Sequence, residues 1–219
     1  MQNKILIVPC PGNPNFQDDK IKFDNLDGEL YLGSEDRMKA AIMKANEFQE
    51  VILVGGSESK VTAMYIYFKK KINHEKLICL VSEPDSTGNL AAVKLYLKET
   101  IFNSNITIIS NKYHLPRLKL IWQSLYNSNV NLECIDAETI LKKENEVESL
   151  YKKELEKREI KENEGCKDWE NKLYHNQEKI NPWEPEFWKC EKLILDFETS
   201  YIYENHYQKT YSKNNQINV

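Results

Sequence analysis

Four short apolar runs, each followed by a stretch of helical periodicity, organise the first 137 residues and leave few folds open to them. The runs are "KILIV" (4–8), "VILV" (51–54), "KLICLV" (76–81) and "ITIIS" (106–110), and "VNLECI" (130–135) closes the series. They are rich in β-branched residues and apolar on both faces, as strands buried between two layers must be. Between them the spacing predicts helices over 34–48, with Ser34 as N-cap, and over 59–72, with basic residues in its last turn. Further helices are predicted over 89–101 and 115–126, the last carrying Leu115, Leu118, Ile121, Trp122 and Leu125 at helical intervals. Strand and helix in alternation, with short connections, indicate an α/β fold: a Rossmann-like three-layer sandwich with a mainly parallel sheet.

From residue 138 the texture changes. The stretch 137–164 reads as a charged helix with an apolar stripe through Ile140, Leu141, Val147, Leu150, Tyr151 and Leu155, and Gly165 is expected to break it. Beyond it lie Trp169, Trp183 and Trp188, an aromatic density foreign to disordered chains. The expectation is therefore a domain over 1–137 and a helical extension over 138–219, docked on that domain or on a second subunit as a homodimer. The last residues, "KTYSKNNQINV", are expected to fray, and no internal repeat is evident.

Charge narrows the partners. Of 30 Lys/Arg and 34 Asp/Glu, 16 of each fall before Glu138, so the net charge of −4 belongs to the extension. Neither part is the basic surface that nucleic acid requires. No apolar stretch approaches the roughly 20 residues of a membrane helix, and the N-terminus lacks a signal-peptide pattern, so a cytoplasmic protein is expected. The five cysteines are dispersed without a C-x-x-C, which argues against both zinc and disulfides. Cys79 and Cys134 read as small core residues.

Polar residues and glycines gather after the strands rather than before them. Pro9-Cys10-Pro11-Gly12 follows the first run, Gly55-Gly56-Ser57-Glu58-Ser59 the second, residues 82–89 the third and Asn111-Lys112-Tyr113-His114 the fourth. In a parallel sheet these loops share the edge where doubly wound folds bind ligands, beside helix N-termini that favour anions. His114 and Arg117, three residues apart at a helix mouth, suit proton transfer and bidentate anion binding respectively. Each element also has a bland reading, as a tight turn, a helix cap or a surface ion pair. Their convergence on one edge is what favours a site. No nucleophile and no metal cluster stands out.

The motif order resembles the YdcF/SanA/ElyC-like family, bacterial proteins whose common domain has no assigned function. The residues that carry the resemblance are Ser34 with Arg37, Val54-Gly55-Gly56, Ser59 with Met64, Glu83 with Ser86, and Ser110-Asn111-Lys112-Tyr113-His114-Leu115-Pro116-Arg117, spanning about residues 4–136. Lys60 stands where the family has glutamate, Asn89 where it has threonine, and Ala91-Ala92 where it has Glu-Asn. The resemblance implies a Rossmann-like domain, and S-adenosylmethionine as a candidate cofactor, since some members are linked to its binding.

Loops and resemblance together nominate His114 as acid/base and Glu83 as the group orienting a hydroxyl or the imidazole. The nominated ligand-binding residues are Gly12, Arg37, Gly55, Gly56, Ser57, Ser59, Lys60, Ser86, Asn89, Ser110, Asn111 and Arg117. The expected ligand is a small anionic or nucleotide-like molecule, handled by a transferase or hydrolase. The competing expectation is a catalytically decayed domain that acts as an interaction protein through its C-terminal helices.

Overall fold

Unbroken apolar runs become strands only where both faces are covered, and the computed structural model shows how each face is met. It describes residues 2–10, 13–17, 20–24, 34–126, 130–141, 156–167 and 190–195. The strands are β1 (Asn3–Pro9), β2 (Asn13–Gln17), β3 (Lys20–Asp24), β4 (Glu50–Gly55), β5 (Leu77–Val81), β6 (Ser104–Ser110), β7 (Leu132–Asp136) and β8 (Glu191–Leu193). The helices are α1 (Ser34–Lys44), α2 (Glu58–Lys69), α3 (Ser86–Leu97), α4 (Leu115–Tyr126) and the short α5 (Ala137–Leu141). Residues 156–167 are also helical.

Six strands form one sheet in the order β7-β6-β1-β4-β5-β8. The pairs β1·β4, β1·β6, β4·β5 and β6·β7 are all parallel, as the sequence predicts for its five runs. Alternation along β1 shows the three layers directly. Leu6 and Val8 enter a core with Met38 of α1 and Phe68 of α2. Ile5 and Ile7 enter a second core with Leu90 of α3 and Trp122 of α4. Each such large side chain, fully buried, stabilises the fold by about 1.5–3 kcal/mol, which offsets the cost of ordering the chain around it.

Three strands were not legible in the sequence. The antiparallel hairpin β2–β3 follows β1 as a separate two-stranded sheet. β8 pairs antiparallel with β5, so the sheet recruits three residues of the C-terminal extension.

Helix starts also move. α3 begins three residues before the predicted 89, because Asp85 caps it: its carboxylate accepts from Gly88 N at 2.6 Å. Ser86 to Asn89 are thus the first helical turn, not a loop. Likewise Ser57 caps α2, accepting from Lys60 N. The predicted helix over 137–164 is described only as α5 and the 156–167 segment. Gly165 does not break that segment but lies inside it. Trp169, Trp183, Trp188 and the C-terminal residues fall outside the described residues, as does Gly12.

Candidate functional site

The chain runs from β1 to β4 and β5 on one side, then returns to place β6 on the other side of β1. The reversal makes the C-terminal ends of β1 and β6 the topological switch point, where neighbouring connections leave in opposite directions and open a crevice. His114 stands there. A single 3-10 turn, Lys112–His114, follows β6, and His114 N donates to Asn111 O at 2.9 Å before α4 begins.

The imidazole is 7% exposed and has polar neighbours at both nitrogens. Nδ1 lies 3.1 Å from Ser110 Oγ and 3.3 Å from Arg37 Nη2. Nε2 lies 2.9 Å from Ser86 Oγ and 3.3 Å from Arg117 Nη2. Burial, reinforced by the charges of Arg37 and Arg117, holds His114 well below the ordinary imidazole range, so it is neutral at neutral pH. A neutral ring has one donor and one acceptor nitrogen. Two proton arrangements satisfy it: Nδ1–H to Ser110 with Nε2 accepting from Ser86, or the reverse.

Arg37 fixes the inner wall. Its Nε and Nη2 donate to Asn111 Oδ1 at 3.2 and 2.9 Å, and Nη1 donates to the carbonyls of Pro9 and Cys10 at 3.1 and 3.4 Å. One guanidinium thereby ties the ends of β1 and β6 to α1. Asn111, fully buried, passes the constraint on: its Nδ2 donates to Glu138 Oε1 at 3.1 Å, and Lys112 N donates to Glu138 Oε2 at 3.0 Å. Arg37, Ser110 and Asn111 are therefore buried walls and struts of this edge.

Arg117 fixes the outer wall. Its Nη2 donates to Ser86 Oγ at 3.2 Å, and its Nε pairs with Glu162 Oε2 at 2.8 Å, a charge contact without in-line hydrogen-bond geometry. Burial pushes the Glu162 carboxyl above its ordinary value, although Arg117, Arg37, Arg158 and Lys161 pull the other way. Helix 156–167 lies across the guanidinium, and Gly165 makes this approach feasible. A Cβ there would stand 3.2 Å from Arg117 Nη1.

The other nominated residues divide. Ser86, half-buried, joins His114 and Arg117. Glu83 does not: among the described residues its carboxylate forms no hydrogen bond or ion pair, and Ser110 orients the imidazole in its place. Asn89 accepts from Ser82 Oγ at 2.6 Å and so braces the start of α3. Gly55 and Gly56 serve close approach, since a Cβ on the former would stand 2.8 Å from Cys10 Cβ and on the latter 2.8 Å from Pro84 Cβ. Ser57 and Ser59 bond each other at the start of α2, at 3.1 Å. Lys60 is half-buried in the same turn, and no contact among the described residues carries its ammonium to His114 or Arg117. Glu138 and Glu162 were missed by sequence reasoning, being two carboxylates in a tract crowded with them.

Comparison of the chain with protein-family models, with curated proteins and with solved structures returns no match. Among the described residues no helix is long and apolar enough to cross a membrane, and no group of three or more His, Cys, Asp or Glu could hold a metal ion.

Proposed function

We propose that this chain is a divergent member of the YdcF/SanA/ElyC-like family. On this reading it works in the cytoplasm and binds a small anionic or nucleotide-like ligand at the C-terminal edge of its sheet, as a transferase or hydrolase. The observation that carries the reading is the meeting of Ser86, His114 and Arg117 at the switch point, beside the N-terminus of α3. A hydroxyl, a neutral imidazole and a guanidinium there offer a hydrogen-bond partner, a proton acceptor and an anion clamp. S-adenosylmethionine is one candidate, since its carboxylate suits Arg117. An arriving anion must displace Glu162 from that guanidinium.

The test is a thermal-shift screen of nucleotides, adenosyl compounds and sugar phosphates. A ligand at about 100 Kd adds roughly 2.7 kcal/mol, which is about 5–10 °C for a chain of this size. The shift should shrink in Arg117→Ala and grow in Glu162→Gln.

A second reading is favoured by one observation: Nε and Nη2 of Arg117 are both engaged from within the chain, and Gly165 packs on Nη1. A decayed domain would keep such a lock to hold its C-terminal helices for a partner or a second copy. On that reading Glu162→Gln lowers the unfolding temperature and enhances the shift of no ligand.

A further inference from the structure

We propose that Ser86 is a nucleophile activated by His114, and that the group it accepts is the phosphoryl group of an anionic ester or anhydride. The inference rests on the reading of this edge as an anion site and adds a covalent role that the sequence did not suggest. Serines at helix starts usually cap. Here Asp85 already holds that position, accepting from Gly88 N, so the Ser86 hydroxyl is released from capping duty. It turns instead to His114 Nε2 at 2.9 Å, within nucleophile-to-base distance, while Ser110 Oγ faces the opposite ring nitrogen. Accessibility follows the same division of labour, with Ser86 half-exposed and His114 and Ser110 buried.

The proton inventory supports the direction of transfer. With Nδ1–H donated to Ser110, Nε2 is free to take the Ser86 proton. After transfer both ring N–H groups still face acceptors, Ser110 Oγ and the former Ser86 hydroxyl oxygen. The two guanidiniums oppose an imidazolium, and this is what selects the substrate. A neutral acyl ester brings no charge to Arg117 before attack, whereas a phosphoryl group arrives with its charge already paired there and relieves the repulsion from the outset. In the first half-reaction the Oγ–P bond forms, the Oγ proton moves to Nε2, and the P–O bond to the leaving group breaks with its electron pair on the leaving oxygen. That oxygen takes the proton from Nε2. In the second, Nε2 takes a proton from water as the water attacks phosphorus, and the proton returns to Ser86 Oγ as the phosphoserine bond breaks.

The experiment uses the full chain with p-nitrophenyl phosphate as phosphoryl donor and p-nitrophenyl acetate as neutral comparison. The expected result is a stoichiometric burst of nitrophenolate with the phosphate, together with an acid-stable phosphoryl adduct that peptide mass mapping puts on Ser86. Ser86→Ala should lose both while unfolding within about 2 °C of the parent, and His114→Gln should slow the burst by about 10²–10⁴-fold. The acetate should give no Ser86-dependent burst. Adduct mapping on the parent needs no variant to fold. If inorganic phosphate stabilises the parent but not Arg117→Ala, yet Ser86 carries no adduct, the nucleophile is wrong and the anion site stands. If inorganic phosphate stabilises neither and no adduct forms, both fall together. A burst of equal size in Ser86→Ala also overturns the assignment.

Discussion

Glu138→Ala should be strongly destabilising although the side chain lies outside the apolar core. The carboxylate is 9% exposed and is the acceptor for Asn111 Nδ2 and Lys112 N. Truncation removes the acceptor that the buried Asn111 amide has in Glu138 Oε1, at a cost of about 1–3 kcal/mol. The less buried Lys112 amide adds about 1 kcal/mol. Together these give roughly 2–4 kcal/mol, or about 5–15 °C in unfolding temperature for a domain of this size. Glu138→Gln keeps one acceptor oxygen and turns an amine toward the other donor, so about half that loss is expected. Urea denaturation of the parent, both variants, Asn111→Ala and the double alanine variant closes a cycle. Its coupling energy should lie between about 0.5 and 3 kcal/mol, because the side chains share a network. A Glu138→Ala chain within about 0.5 kcal/mol of the parent, at unchanged denaturant slope, would falsify the strut argument.

His114 should show no ring-proton titration at its ordinary value near 6.5, since burial and the charges of Arg37 and Arg117 lower its folded pKa well below that. By linkage the stability it contributes is present above about pH 6.5 and is lost as acid protonates the unfolded chain; a ring titrating at its ordinary value contradicts the burial argument. Tyr67, pushed up to about 12 by burial and by Glu35, contributes stability that is full below pH 10 and declines between about pH 10 and 12. Burial raises Tyr126 as well, so ultraviolet titration should show more than one late phenol and Tyr67→Phe should remove one of them. Cys79, buried and raised to about 12, should resist an aromatic disulfide reagent in the native state and react only after unfolding. Lys98 ends α3 at φ 48°, a conformation that glycine adopts without steric cost. Lys98→Gly should therefore stabilise by about 1 kcal/mol in thermal unfolding, and a loss of stability there refutes the strain.

What was legible in the sequence, and what was not, follows from how each signal arises. "VILV" and "ITIIS" declare themselves because a strand covered on both faces is apolar or β-branched at nearly every position. β8 cannot do so. Of its three residues, Glu191 and Lys192 are charged and exposed and only Leu193 is half-buried, so it is the free edge of β5 that makes them a strand. The start of α3 was misplaced because Ser-Thr-Gly-Asn has loop composition, and the decisive residue was the capping aspartate before it. At the candidate site, the meeting of His114, Arg117 and Ser86 was legible because loops after parallel strands converge. The partners that hold them were not. Glu138 and Glu162 look like any other carboxylate of an acidic tract until the backbone brings one to Asn111 and the other to Arg117. Glu83 is the reverse case, a carboxylate on the same edge that no contact among the described residues brings to His114.

The pairing of β8 with β5 also sets a clock. About 110 residues separate the partners Val81 and Glu191, so on a ribosome adding about 5–20 residues per second β5 waits roughly 5–20 s for its neighbour. Throughout that interval the nascent sheet presents the unpaired amides and carbonyls of Cys79 to Val81 to any other strand nearby, including the same segment of a second nascent chain. The finished molecule hides this hazard completely. It should surface in synthesis, as a yield that falls when translation slows between residues 81 and 191 and recovers when a chaperone that holds nascent strands is abundant.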